Sequence, residues 1–190
     1  MSTETPYIIY SESTPNPAVM KFVANKILVN QSKECLNIQE TEDATLLRKL
    51  FSFPFVKELF ISGNYISIKK HDAVEWSEIT NSVRIFIQGE LNNDVKISGE
   101  KSTKSPHIMK EKSDVISRVE KVLDLTIRPN IQMDGGDLEL ISLKNKVLKI
   151  FLKGACNGCP SSHITLKNGV EVLLKKEFPN EITEVIAINN

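Results

Sequence analysis

Cysteine is scarce in this chain, and its scarcity limits the chemistry that the chain can perform. The 190 residues include 3 cysteines, an odd number that is too small for a disulfide framework. We therefore expect a reducing, cytoplasmic setting in which the thiols stay free. No apolar run approaches the roughly 18 residues that span a bilayer. Because of this, we expect no membrane partner. The first ten residues resemble neither a secretory signal nor a transit peptide.

An excess of charge of one sign is also lacking. Lys and Arg total 24, Asp and Glu total 24, and the formal net charge is +0. Proteins that bind nucleic acid generally carry a basic excess or a basic stripe. The balance therefore predicts no nucleic-acid partner.

What the chain does contain is one close pair of cysteines, Cys156 and Cys159, in a C-x-x-C arrangement. Such a pair can bind one side of a thiophilic metal or form a reversible disulfide. It supplies two thiolates, whereas a tetrahedral thiolate site or an iron–sulfur cluster generally needs four ligands. The other ligands must come from elsewhere, and a second copy of the chain is the simplest source.

Composition divides the chain into three segments. Residues 93–112 are polar and contain Ser, Gly and Pro, which is typical of a flexible linker. They separate residues 1–92 from residues 113–190, and each flank shows the patterns of both helices and strands. We predict an α+β fold with two small domains joined by this linker.

In the first domain, residues 19–29 are rich in β-forming residues, with Asn25 as the predicted turn of a hairpin. A second strand pair is predicted around the turn Gly63-Asn64. Asp72 is the predicted N-terminal cap of a long helix. The further predicted elements are a helix at 44–51, strands at 56–61 and 65–69, and a helix at 72–91.

In the second domain, the predicted order is helix, strand, strand, cysteine loop, helix and strand. Pro129 disfavours helical geometry in Arg128, so we expect the first helix to end there. Residues 134–137 contain two glycines between two aspartates, which indicates a turn. The predicted elements span, in order, residues 113–127, 138–143, 147–152, 161–176 and 182–188.

The residues around the cysteines suit an anionic metal–sulfur group. Cys159 precedes Pro160, a favourable first residue of a helix, so the thiolates would face unpaired backbone N–H groups. Gly154 and Gly158 would let the backbone approach an inorganic sulfide closely. The two serines after Pro160 can cap the helix or donate hydrogen bonds to sulfur.

Several short runs of residues match the motifs of a known family. They are residues 14–17, 20–22, 50–51 and 65–68 with Trp76 in the first domain, and residues 127–129, 134–140, 154–162 and 165–171 in the second. Through these runs the chain resembles the NifU/Nfu family of iron–sulfur cluster scaffolds and carriers. The second domain resembles the NifU C-terminal domain through specific motifs, and the first resembles the N-terminal domain of Nfu-type proteins through less specific ones.

The resemblance implies a carrier rather than an enzyme. It implies that two protomers each contribute Cys156 and Cys159 and together bind one 4Fe–4S cluster, and a 2Fe–2S form is also compatible with it. It further implies a homodimer when the cluster is bound. The implied partners are apo iron–sulfur client proteins and upstream cluster-assembly proteins. The N-terminal domain would then dock or orient these partners.

Two other functions also fit a C-x-x-C pair. One is a zinc-stabilised interaction module, and the other is a dithiol oxidoreductase. The second would require a thioredoxin-like βαβ context, which the predicted elements do not provide. His163 stands where the family is expected to carry a small residue, so a mixed Cys/His metal site is an alternative. We interpret His163 as a residue on the helix surface.

The remaining candidates receive structural interpretations. Cys35, isolated among polar residues, is interpreted as an incidental thiol. Asp134 and Asp137 are interpreted as turn-forming residues, and Arg128 is a candidate ion-pair partner for one of them. The two glycines between these aspartates are expected to allow a close approach of the backbone beneath the cysteine loop.

Overall fold

The computed structural model describes residues 5–41, 44–97, 114–157 and 162–188. The chain divides into two compact units, with the division between Ser102 and Thr103. Helices and strands occur in both units, which confirms the predicted α+β class with two domains. Residues 98–113 lie outside the described residues, so the boundaries 1–92, 93–112 and 113–190 stay a prediction.

The first unit is a five-stranded antiparallel sheet with helices on one face. The strands follow the order β1-β2-β5-β4-β3 across the sheet. Their bounds are β1 Ile9–Ser13, β2 Val19–Ala24, β3 Lys33–Cys35, β4 Val56–Ser62 and β5 Tyr65–Lys70. The helices are a 3₁₀ turn at Ile38–Thr41, α1 at Thr45–Leu50 and α2 at Trp76–Asn92.

The core of the first unit lies between this sheet and the two α-helices. Helix α1 buries three leucines, and α2 buries residues spaced by four along one face. The sheet contributes residues that alternate along each strand. Buried members of this cluster include Phe22, Leu46, Leu47, Leu50, Leu59, Ile61, Ile66, Ile68, Val83, Ile87 and Leu91.

The second unit packs helices against a three-stranded sheet. Strands β6 (Gly136–Lys144) and β7 (Val147–Gly154) are antiparallel and are joined by Asn145 and Lys146, which both have positive φ. This turn geometry matches the twist of the two strands. Strand β8 (Glu184–Ile188) pairs in parallel with β7, and helix α5 (Ser162–Glu177) forms the crossover. Helices α3 (Asp114–Thr126) and α4 (Arg128–Met133) precede the sheet.

The second unit has its own apolar core. Helix α3 buries Ile116, Val119 and Leu123 on one stripe, as its helical spacing predicts. The apolar cluster at the centre of this unit contains residues from α3, α5 and all three strands. Its buried members include Val119, Leu123, Leu138, Leu148, Ile150, Leu152, Val170, Leu174 and Val185.

Two predictions for the first domain were wrong. Strand β2 ends at Ala24, and the Asn25 side chain accepts a hydrogen bond from Ile8 N at 3.0 Å and donates one to Pro6 O at 3.1 Å. Asn25 therefore binds the N-terminal segment instead of reversing the chain. Helix α2 begins at Trp76 and not at Asp72, since the backbone is still extended at Glu75. The helix has no side-chain cap from Glu75.

In the second domain one helix was not predicted. Pro129 ends α3 as expected, but Arg128 and Pro129 also begin the short helix α4. Proline is tolerated in the first turn of a helix because the backbone N–H that it lacks has no partner there. None of the helices within the described ranges is long and apolar enough to cross a membrane.

Candidate metal centre

Cys156 lies in the tight turn that follows strand β7. Gly154, the last residue of this strand, has a φ of +62°, a conformation that glycine adopts without steric cost. Asn157 N donates a hydrogen bond to Gly154 O at 3.0 Å and closes the turn. The Cys156 side chain points into the unit, where its residue is 4% exposed and belongs to the apolar cluster.

The start of strand β6 lies directly against Cys156. Gly136 pairs with Gly154 across the two strands, and Ala155 N donates a hydrogen bond to Gly135 O at 3.2 Å. An ideal Cβ at Gly136 would stand 2.6 Å from Cys156 Sγ and 2.8 Å from Lys153 O. Side chains do not approach so closely, so only glycine fits. We call Gly135, Gly136 and Gly154 the Cys156 seat.

The positions of Gly135 and Gly136 confirm the expectation that the two glycines between the aspartates allow a close approach of the backbone beneath Cys156. Gly135 has a φ of +81° and turns the chain out of α4, whose last turn is closed by Gly135 N donating to Gln132 O at 3.1 Å. Strand β6 then begins at once with Gly136. The sulfur of Cys156 is therefore in contact with backbone, with no side chain in between.

A partly buried ion pair lies at the same end of β6. Arg128 Nη1 donates to the carboxylate of Asp137 and to Leu138 O at 3.0 Å, and its Nε donates to Asp124 Oδ1 at 2.7 Å. The Asp137 carboxylate also accepts a hydrogen bond from Leu138 N at 2.8 Å. Burial raises the pKa of the Asp137 carboxyl, and the charge of Arg128 limits the increase. Asp137 thus has a structural role, as the sequence suggested.

Sequence reasoning left open which aspartate pairs with Arg128, and it missed two further groups. Asp124 stands four residues before Arg128, and this i, i+4 spacing was an available signal. Lys153 forms an ion pair with Glu139 from the neighbouring strand. Their contact depends on the strand register, which only the structure gives.

The second predicted ligand is not described. Cys159 lies outside the described residues, as do Gly158, Pro160 and Ser161. Helix α5 begins at Ser162, close behind them in sequence, and the side chain of His163 is likewise outside the described part. The joint use of Cys156 and Cys159 therefore stays a prediction. Within the described ranges, no group of three or more His, Cys, Asp or Glu residues is arranged to hold a metal ion.

Cys35 is a core residue of the first unit and not a surface thiol. Its strand β3 pairs with β4, which places Cys35 opposite Leu59 and leaves it 0% exposed. Burial raises the pKa of the Cys35 thiol to about 11. A thiol that is protonated at neutral pH is a poor nucleophile and a poor metal ligand.

Comparison with known proteins assigns each unit to a domain family. Residues 119–186 match the NifU-like domain, and residues 9–94 match the N-terminal domain of the scaffold protein Nfu/NifU. A NifU-like protein of Schizosaccharomyces pombe is 31% identical over 188 residues, which cover 95% of this chain and 72% of that protein.

Two further relatives are mitochondrial proteins named NFU1 iron-sulfur cluster scaffold homolog. That of Drosophila willistoni is 30% identical over 90% of this chain, and that of Drosophila persimilis is 31% identical over 90%. The matches span 60% and 62% of those two relatives.

Among solved structures, a NifU-like protein from Saccharomyces cerevisiae matches with a TM-score of 0.46 and 20% identity. The match covers 53% of this chain and 92% of that one. From the two domain matches and the fission-yeast relative, the chain belongs to the NifU-like family, with an Nfu N-terminal domain followed by a NifU-like domain.

Proposed function

We propose that this chain binds an iron–sulfur cluster as cargo and passes it to apo iron–sulfur proteins. The fly relatives are named as cluster scaffolds, and their matching segments cover most of this chain. The observation that carries the proposal is the Cys156 seat, in which Gly136 leaves room for a sulfur atom that any side chain would displace. A thiol held by backbone at a strand end, with Cys159 three residues later, supplies the soft ligands that such a cluster requires.

The ligand count sets the stoichiometry of the proposal. Cys156 and Cys159 supply two thiolates, so two protomers together would provide four for one 4Fe–4S cluster. The cluster-loaded species would then be a homodimer, and a 2Fe–2S form would need the same four thiolates. Because a thiolate from a recipient protein can replace each donor ligand in turn, such a protein carries its cargo without catalytic turnover.

Cluster loading requires the turn around Cys156 to move. Cys156 is 4% exposed, so its sulfur cannot bond to iron until the turn opens. Bonding of sulfur to metal also requires the thiolate, so the thiol proton leaves as the ligand binds. The residues that fix the Cys156 seat would therefore influence both the uptake and the release of the cluster.

Anaerobic reconstitution tests the proposal. The reduced full-length chain is incubated with iron and sulfide, and the visible spectrum, the iron and sulfide content and the mass are recorded. We expect a broad visible absorption and about four irons per two chains. Cys156→Ser should abolish the absorption while the chain stays folded. Cys35→Ala is the matched control and should bind the cluster as the wild-type chain does.

Four results would contradict the proposal. A colourless protein with tightly bound zinc would indicate a zinc-stabilised interaction module. A metal-free protein that cycles a disulfide between Cys156 and Cys159 would indicate a dithiol oxidoreductase. A cluster-loaded species with a single chain would exclude the shared site. Unfolding of the metal-free chain would indicate a structural site instead of a cargo site.

The compartment is a separate proposal. The fly relatives are named mitochondrial, whereas the composition of this chain led us to expect the cytoplasm. Fractionation of cells that express the full-length chain would decide between the two compartments.

A further inference from the structure

One guanidinium group connects three elements at the Cys156 seat. Arg128 is the first residue of α4, and it donates hydrogen bonds to Asp124 on α3 and to Asp137 and Leu138 on β6. The Asp137 side chain is 8% exposed, whereas that of Asp124 is 55% exposed. The contact with Asp137 is thus the one that is shielded from water, where it is weakened least by solvent.

Asp137 is connected to the Cys156 sulfur through the two glycines that precede it. Asp137 directly follows Gly136, whose Cα carries no side chain and lies against Cys156 Sγ. Gly135, one residue further back, accepts the hydrogen bond from Ala155 N. A shift of the β6 start is therefore passed to Cys156 by direct contact, because no flexible side chain lies between them to absorb it.

We propose that Arg128 is a positioning residue for Cys156, which it acts on through Asp137 and Gly136. The inference rests on the proposed function for its meaning, but the position of the sulfur can be tested without any metal. With the ion pair intact, β6 holds Cys156 in its buried position. When the pair is weakened, the turn opens more often and the sulfur becomes accessible.

Arg128→Lys is the decisive variant because it keeps the positive charge and removes the planar fork of donors. A lysine ammonium cannot bond Asp137, Leu138 and Asp124 in the same fixed geometry. Arg118→Lys is the matched control, since Arg118 also pairs with two carboxylates, Asp114 and Glu181, in the same unit. Asp137→Asn tests the pair from its other side with a side chain of nearly the same shape.

The first readout is the alkylation rate of Cys156 in the metal-free, reduced full-length chain, followed by peptide mass mapping. We expect Arg128→Lys and Asp137→Asn to increase this rate at least tenfold, and Arg118→Lys to change it less than twofold. The melting temperature is recorded in parallel. The proposal would be overturned if Arg128→Lys were alkylated at the wild-type rate. It would also be overturned if the increase in rate were no larger than the loss of global stability explains.

The second readout is the bound cluster. After reconstitution, we expect Arg128→Lys to alter the visible circular dichroism and to shorten the half-life against a chelator at least tenfold, with Arg118→Lys unchanged. Unchanged dichroism and half-life in Arg128→Lys would also contradict the proposal. If the wild-type chain binds no cluster, the proposed function fails, and the alkylation rates still decide the role of Arg128.

Discussion

Gly136 is the residue at which one added methyl group should have the largest effect. Its ideal Cβ would lie 2.6 Å from Cys156 Sγ and 2.8 Å from a backbone oxygen that cannot rotate away. Overpacking of this kind costs about 1–3 kcal/mol. We expect Gly136→Ala to lower the free energy of unfolding of the second unit by this amount, measured by urea titration, and to reduce cluster retention.

Gly169 provides the control for that substitution. It lies within α5, and an ideal Cβ there has nothing within 4 Å. Alanine in a helix is favoured over glycine by roughly 0.5–1 kcal/mol, so Gly169→Ala should stabilise the same unit slightly. If both alanine variants were equally stable, the close contact at Gly136 would have no energetic consequence. The claim that only glycine fits beside Cys156 would then be wrong.

Cys35 should make the first unit sensitive to alkaline pH. The pKa of its thiol is raised from 9.0 to about 11 in the folded chain, because burial disfavours the thiolate. The stabilisation that the buried, protonated thiol gives the fold is therefore complete below pH 9 and is lost as the pH rises towards 11. We expect the difference in unfolding free energy between wild type and Cys35→Ala to shift by about 2 kcal/mol from pH 8 to pH 10.5. Parallel pH curves for the two proteins would contradict this.

At the scale of the element, Glu171 connects α5 to the edge strand β8. Its carboxylate accepts hydrogen bonds from Lys175 Nζ and from Val185 N, the latter at 3.1 Å. The bond from Lys175, followed by that from Val185, lowers the pKa of Glu171 below its ordinary value of 4.5. A carboxylate with a lowered pKa stabilises the fold above pH 4.5, and this contribution disappears as the pH falls through the folded-state pKa.

We therefore expect Glu171→Gln to destabilise the second unit by about 1 kcal/mol at pH 7, where the carboxylate is charged. The difference from wild type should close as the pH falls from 7 through the folded-state pKa, which lies below 4.5, because the wild-type carboxyl then becomes protonated. Urea titrations at several pH values measure it. Glu177→Gln, at the exposed end of the same helix, should have little effect at any of them. A constant difference across this pH range would show that charge is not the cause.

Elements with local partners could be predicted from the sequence, and those with distant partners could not. The β6–β7 hairpin and the β4–β5 pair have their turn residues beside them, and both are observed. Strand β2 pairs instead with β1 and with β5, which is more than 40 residues later, so its hairpin prediction at Asn25 was wrong. The position of Cys35 in the core likewise depends on the pairing of β3 with β4.

In the candidate site, too, features set by neighbouring residues could be predicted, and features set by distant partners could not. The two glycines between Asp134 and Asp137 could be assigned to a close approach from the sequence because they stand in a predicted turn just before a predicted strand. The distance from Gly136 to Cys156 Sγ depends on the register of β6 and β7, which a bulge between Leu140 and Ser142 shifts. The choice of Asp137 over Asp134 as the partner of Arg128 depends on the turn of α4 into β6.

At the scale of the whole molecule, the two units have separate cores. The two apolar clusters share no residue, and each consists of buried residues from its own unit. Cys156, Gly136, Asp137 and Arg128 all belong to the second unit. A domain with its own apolar core can fold independently, and tethering it to a second domain raises its local concentration near a docked partner.

We therefore expect residues 103–190, expressed alone, to fold, to bind the cluster and to dimerise when loaded, with the iron content of the full-length chain. Residues 1–102 alone should fold and bind no cluster. Circular dichroism, iron analysis and sedimentation of both fragments measure this. Cluster transfer to an acceptor that binds the first unit should be slower from the isolated second unit, because the tether that raises the local concentration is gone. An unfolded 103–190 fragment would show that the core of the second unit depends on the first unit. Equal transfer rates from the fragment and from the full-length chain would show that the N-terminal domain does not dock the acceptor.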